Sequence, residues 1–228
     1  MQLHPLSKDN PVIKQALEIA EKINKKHKGL IFDKFRSALR SELNLSRNGS
    51  LKVLDFLLNN KILVKGSVYT KDTVLNHKPR NLIYQFIKDN IGVNIKCIEK
   101  ELSYDNNPGP VLWHLEMLLK FGLIKKTKLG RFTIVIPAEI PVRKGVLYFM
   151  MRNKIQKSIV KLLITKEQVR KTDIYSEINL EHSKIDYRIK KLVIENILVG
   201  KDNDLLSVNP EIKELLLEIF KKHETITK

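Results

Sequence analysis

The sequence predicts a mainly α-helical protein with small β-wings, organised as three tandem winged helix-turn-helix domains. Three observations carry that expectation. Between Lys78 and Pro137, three short helical periodicities are followed by two β-like runs joined by a basic glycine turn. The same order can be traced on both sides of that stretch. No apolar run in the 228 residues is long enough for a membrane span, and none has a signal-peptide pattern. The expected divisions are 1–76, 77–144 and 145–228.

In the N-terminal third, Ile13, Leu17, Ala20 and Ile23 mark one helix face from about Pro11 to Lys26. Phe32, Phe35, Leu39 and Leu43 mark a second after Lys28-Gly29, and Asn44–Asn48 reads as a polar turn. Leu51, Leu54, Phe56, Leu57 and Leu58 build a third, ending at Asn59-Asn60. Ile62–Val64 reads as a strand, and Gly66–Thr70 is too short for a full wing. Lys71–Lys78 joins this unit to the next without a Gly/Ser linker, so tight packing between the two is expected.

The central stretch is the most regular. Leu82, Ile83, Phe86 and Ile87 define an apolar face, with Pro79 in the first turn, where no backbone donor is needed. Asn90–Val93 breaks the helix. Asn94 is placed to cap a second helix with Ile95, Ile98 and Leu102 inward. After a polar turn, Asn107-Pro108 gives a cap followed by proline at the first helical position. Val111, Leu115 and Leu118 face inward, Leu119 lies at the edge, and Gly122 stops the helix. Leu123–Thr127 and Phe132–Ile136 are strands turning at Leu129-Gly130.

In the last third, Ile155, Ile159, Leu162 and Leu163 mark a helix after Arg152-Asn153. Lys171–Ile178 is a second, with Ile174, Tyr175 and Ile178 inward. A third begins near Ser183 with Ile185, Ile189, Leu192 and Val193 inward. Ile197–Val199 and Leu205–Val208 flank a polar hairpin, and Asn209-Pro210 opens a final amphipathic helix. The GVLYFMM run after Lys144 fits either a strand or a helix start.

The string PVLWHLEMLLKFGLI, the basic turn and then FTIVIP resemble archaeal winged-helix transcription regulators over roughly residues 64–137. That group includes the activator of the euryarchaeal archaellum operon. The resemblance implies a sequence-specific promoter-binding regulator, activation rather than repression, and contact with general initiation factors. A repressor of the same fold and a tandem winged-helix scaffold for proteins are the alternatives. The scaffold predicts apolar rather than basic third-helix surfaces.

Charge agrees with a polyanionic partner. Lys and Arg number 42 against 25 acids, a net +17 spread as +7, +6 and +4 over the three divisions. The amino-terminal end of a reading helix meets the bases. The expected double-stranded DNA contacts there are Asn106, Asn107, Pro110, Trp113 and His114. The wing adds Lys125, Lys126, Lys128 and Arg131 for phosphate or minor-groove contacts. Arg47 and Lys52 hold the equivalent place in the first division, and Lys184 and Arg188, beside Lys190 and Lys191, hold it in the last. Trp113 reads equally as a lid on the core.

No enzyme constellation emerges, and no cofactor is expected. The six histidines are scattered without metal-ligand spacing, and neither GxxxxGK[ST] nor GxGxxG occurs. Cys97 is the single cysteine, so no internal disulfide can form, and its place between Ile95 and Ile98 suits a small, partly buried residue. A cytoplasmic location follows as an expectation. Composition leaves the oligomeric state open.

Overall fold

The computed structural model describes residues 6–27, 29–102, 109–201 and 204–225. It is mostly helical, with two small antiparallel sheets. Chain contacts group it into two compact units. One comprises 1–90, 95–126 and 135–139; the other comprises 91–94, 127–134 and 140–228.

The N-terminal helices are α1 (Pro11–His27), α2 (Phe32–Glu42) and α3 (Arg47–Asn59). Asn10 Oδ1 accepts from the Val12 amide at 2.9 Å, and Ser46 Oγ accepts from Gly49 at 3.0 Å, so both helix starts are satisfied by side chains. Arg47 is therefore the first residue of α3 rather than part of the turn. The core beneath holds Ile13, Ala16, Phe35, Leu39, Val53 and Leu57. The expected strand at Ile62–Val64 is reduced to a single bridge, Leu63 with Thr70. Only six residues separate those partners, too few for a wing.

A 3-10 turn, Val74–Asn76, leads into α4 (Lys78–Asp89). The order then runs β1 (Val93–Asn94), α5 (Ile95–Leu102), α6 (Gly109–Lys120), β2 (Ile124–Leu129), β3 (Phe132–Pro137), with sheet order β1-β3-β2. The GVLYFMM run belongs to a helix, α7 (Val142–Met151). The order then repeats: α8 (Lys154–Lys166), β4 (Gln168–Arg170), α9 (Lys171–Ile178), α10 (His182–Ile194), β5 (Leu198–Lys201), β6 (Leu205–Val208), sheet order β4-β6-β5. The last helix is α11 (Pro210–Thr225), whose start is satisfied by Asn209 Oδ1 on the Glu211 amide at 3.0 Å. The short first strands β1 and β4 escape sequence periodicity because two or three residues carry no alternation.

Val111, Leu115 and Leu118 are buried as expected. Leu82 and Val193 are not: they are 55% and 44% exposed. Each adjoins a truly inward position, Ile83 and Leu192, and one residue turns a helix by about 100°.

One local motif occurs three times. After α3, α6 and α10 the chain passes through a left-handed residue: Lys61 (φ 53), Gly122 (φ 63) and Asn196 (φ 51). The next amide bonds back five residues each time: Ile62 to Leu57 at 2.8 Å, Leu123 to Leu118 at 3.0 Å, Ile197 to Leu192 at 2.8 Å. This is the Schellman closure, which satisfies carbonyls the helix end leaves open. The carbonyl of that same residue then accepts from the returning chain, from Lys71, Ala138 and Asn209, each at 2.9 Å. Sequence comparison of the three segments hides this, because the left-handed position is Lys, Gly and Asn in turn.

Val74, Met117 and Phe121 form a buried cluster with Val64, Tyr69, Leu75 and Leu123 packed against it. The segment after α3 therefore packs on the end of α6. Lys61 crosses Gly122 so closely that a Cβ there would lie 2.7 Å from its Cδ.

Candidate nucleic-acid interface

Helix α6 presents Pro110, Leu112, Trp113, Glu116 and Lys120 to the outside. This face is more apolar than cationic: Leu112 is 43% and Trp113 50% exposed. Asn106 and Asn107 lie outside the described residues. His114 departs from expectation. It is 6% exposed, with its ring 4.9 Å from His77 and 5.0 Å from Trp113, so it presents no outward edge. Position 114 sits three residues from both Val111 and Met117, which are buried, so helix phase draws it inward.

Beside it lies Arg80, with no exposed surface. Its Nη1 donates to the Val74 carbonyl at 2.7 Å, and its guanidinium lies 4.5 Å from the Tyr69 ring and 5.0 Å from the Trp113 ring. Trp113 is thus half clamp and half surface. Burial first, then the charges of His77 and Arg80, lower the His114 pKa from 6.5 to about 4. The native state then refuses a proton that the unfolded chain accepts between those values. Stability should fall as pH drops from about 6.5 to about 4, by about 2 kcal/mol allowing for solvent screening. Denaturant midpoints measured across that window check this, and His114→Phe should flatten the curve.

On the wing, Lys128 and Arg131 are exposed, and Lys125 is half-buried. Lys126 is exposed but already paired, its Nζ 2.8 Å from Glu116 Oε1. Arg131 packs over Phe132 at 5.2 Å.

Helix α10 carries the denser cationic surface. Lys184 is exposed and 3.1 Å from Glu181. Tyr187, 54% exposed, has the Arg188 guanidinium 5.3 Å and Lys191 Nζ 4.5 Å from its ring. A hydrogen bond from Lys191, then the charges of Lys191, Arg188 and the wing's Arg131, lower its phenol pKa. The helix is fixed from α9. Asp186 Oδ1 accepts from Tyr175 Oη at 2.5 Å and Lys171 Nζ at 2.8 Å, and the Tyr175 and His182 rings stack at 4.1 Å. Sequence reading missed Tyr187. The signal was an aromatic on the polar side of an amphipathic helix, between Lys184 and Lys191.

In the N-terminal part, Arg47 and Lys52 are exposed on α3. A polar hollow of about 620 Å3 adjoins the α3 start, lined by Ser37, Arg40 and Ser41 of α2 and by Asn44 and Ser46. Those α2 residues are spaced i, i+3, i+4, a pattern that could have revealed them.

Among the described residues, no helix is long and apolar enough to cross a membrane, and no group of His, Cys, Asp and Glu could hold a metal.

The mostly helical fold with its small antiparallel sheets is consistent with a winged helix-turn-helix. No family model matches the chain. It is 33% identical over 144 residues to an uncharacterized HTH-type transcriptional regulator of Methanocaldococcus jannaschii, over 63% of this chain and 35% of that protein. The chain therefore spans about a third of the length of that curated relative.

Proposed function

We propose that this chain is a sequence-specific, DNA-binding transcription regulator of archaeal type, built of three tandem winged helices at 1–76, 77–144 and 145–228. The observation that carries the reading is the set of surface cations on α10 and the central wing: Lys184, Arg188, Lys191, Lys128 and Arg131. The relative's description as a transcriptional regulator supports it. The threefold recurrence of the helix closure supports the count of modules. Promoter DNA is the partner. Activation and the archaellum operon rest on the sequence resemblance alone. Catalysis has no part in this reading.

The face of α6 favours a second role. Leu112 and Trp113 expose apolar surface where a phosphate-binding helix would be basic. A protein partner, such as an initiation factor, fits that helix better than DNA.

A competition titration with specific and scrambled duplexes tests the proposal. Arg131→Ala should weaken both equally and lower the salt slope by about one. Lys126→Ala should do less, because that ammonium must first leave Glu116. Asn107→Ala should erode preference among sequences by about 1–3 kcal/mol if it meets a base edge. Equal loss on both duplexes would reduce Asn107 to a helix cap, and no discrimination by the wild-type chain would end the DNA reading.

A further inference from the structure

The central module holds a cavity of about 220 Å3 between the first turns of α4, the end of α5 and the start of α6. Its walls are apolar: Pro79, Leu82, Ile83, Leu102, Pro110 and Val111. Among the described residues, Glu101 and His114 also line it. Glu101 is exposed, whereas His114 is 6% exposed and its Nδ1 has no hydrogen-bond partner among the described residues.

Arg80 makes the electrostatics one-sided. Its side chain is completely buried, and neither Nε nor Nη2 has a partner among the described residues. Its charge reaches His114. Among the described residues no group neutralises this buried cation, and although Arg80 does not itself line the cavity, its charge favours an anion at the His114 side. A cationic ligand is disfavoured there. The volume lies below the range typical of drug-sized ligands, so the body must be small. At the mouth, the Glu101 carboxylate repels a second negative charge.

We propose that this cavity binds a small monocarboxylate with an apolar body, its carboxylate meeting a ring N–H of His114 in the field of Arg80. The imidazole is neutral at physiological pH, so one ring nitrogen carries a proton to donate. The apolar body lies against Leu82, Ile83 and Val111, replacing water on surface that Leu82 exposes. Because Pro110, Val111 and His114 all belong to α6, an occupant bears on the helix that presents Trp113. The site goes beyond the DNA reading and is tested without DNA.

Trp113 is the only tryptophan and its ring is 5.0 Å from that of His114, so its fluorescence reports the site. The full chain is titrated at constant ionic strength with sodium isovalerate, isovaleramide and acetate, with saturation-transfer NMR on the same samples. Isovalerate should saturate in the millimolar range or below, with isovaleramide and acetate each about tenfold weaker. The amide lacks the charge, and acetate lacks the body. Leu82→Glu, at a position 55% exposed, should weaken isovalerate by about tenfold. His114→Phe should erase the preference for acid over amide. If that variant unfolds, Leu82→Glu decides alone. No saturation by either method, equal binding of acid and amide, or a Leu82→Glu variant that binds unchanged would each overturn the proposal.

Discussion

Raising salt from 50 to 200 mM should weaken binding to a cognate duplex by a factor on the order of 10² to 10⁴. The number of phosphates engaged sets the size of the effect. Each one neutralised by a Lys or Arg releases condensed counterions, and log affinity then falls with log salt at about −0.9 per contact. The exposed cations on α3, α6, α10 and the β2–β3 hairpin are Arg47, Lys52, Lys120, Lys126, Lys128, Arg131, Lys184 and Lys190, with Arg188 and Lys191 half-buried over Tyr187. Engaging about 5–8 of these gives a slope of about −4 to −7. Pairs such as Lys126 with Glu116 and Lys184 with Glu181 reduce the count, since those cations already have partners. Fluorescence anisotropy on one duplex at several salt concentrations reads the slope directly. A flat response would remove DNA as the partner and leave the apolar face of α6 as the functional surface.

Much of this architecture is legible in the sequence, because its signals are local. Pro79 falls within the first two positions of α4, Lys171–Ile178 matches α9 at both ends, and Gly122 takes the left-handed conformation expected of a helix stop. Paired strands with a glycine turn between them are also visible. What escapes is set by distant partners. β1 and β4 are strands only because β3 and β6 return beside them. The GVLYFMM run is apolar on every side, and six of its residues are buried, so periodicity cannot choose between helix and strand.

The candidate site is legible for charge and much less for burial. Lys128 and Arg131 can be placed on a wing because a turn exposes what it carries. His114 is misplaced by its polarity: the phase of α6, with Val111 three residues before it and Leu118 four after, points it inward, whereas an imidazole in a reading helix suggests an outward group. Arg80 is the sharper case. An arginine in the first turn of a basic helix reads as solvent-exposed, and only Tyr69, Val74 and Trp113 closing over it make it buried. The two lysines at 125 and 126 look alike in sequence, yet Glu116, ten residues before Lys126, pairs with one of them.

Replacing Gly92 with alanine should destabilise the fold more than the same change at Gly122 or Gly130. Gly92 has φ +70, a conformation that costs a side-chain-bearing residue about 1–3 kcal/mol. Space is the larger obstacle. A Cβ at Gly92 would lie 2.1 Å from the Gly145 carbonyl oxygen, 3.1 Å from its carbonyl carbon and 3.2 Å from the Phe149 amide nitrogen. All three are backbone atoms of α7, so no rotamer change relieves the clash, and the helix itself must shift. At Gly122 the nearest atoms belong to the flexible Lys61 side chain, which can move aside. Helix α7 also carries Phe149, 5.4 Å from Phe132 of β3, and is capped by Arg152, whose Nη2 donates to the Ile91 carbonyl at 3.3 Å. Displacing it loosens the wing strand together with the segment before β1. Overpacking and backbone strain together come to about 4 kcal/mol, about 10 °C in Tm for a chain of this size. Gly130→Ala is the control, since it also has positive φ (+55) but nothing lies within 4 Å of its Cβ. It should lose only about 1–2 kcal/mol, from strain alone. Urea unfolding of the two variants separates the causes: similar midpoints would mean that the approach of Gly92 to α7 contributes nothing beyond its backbone angle.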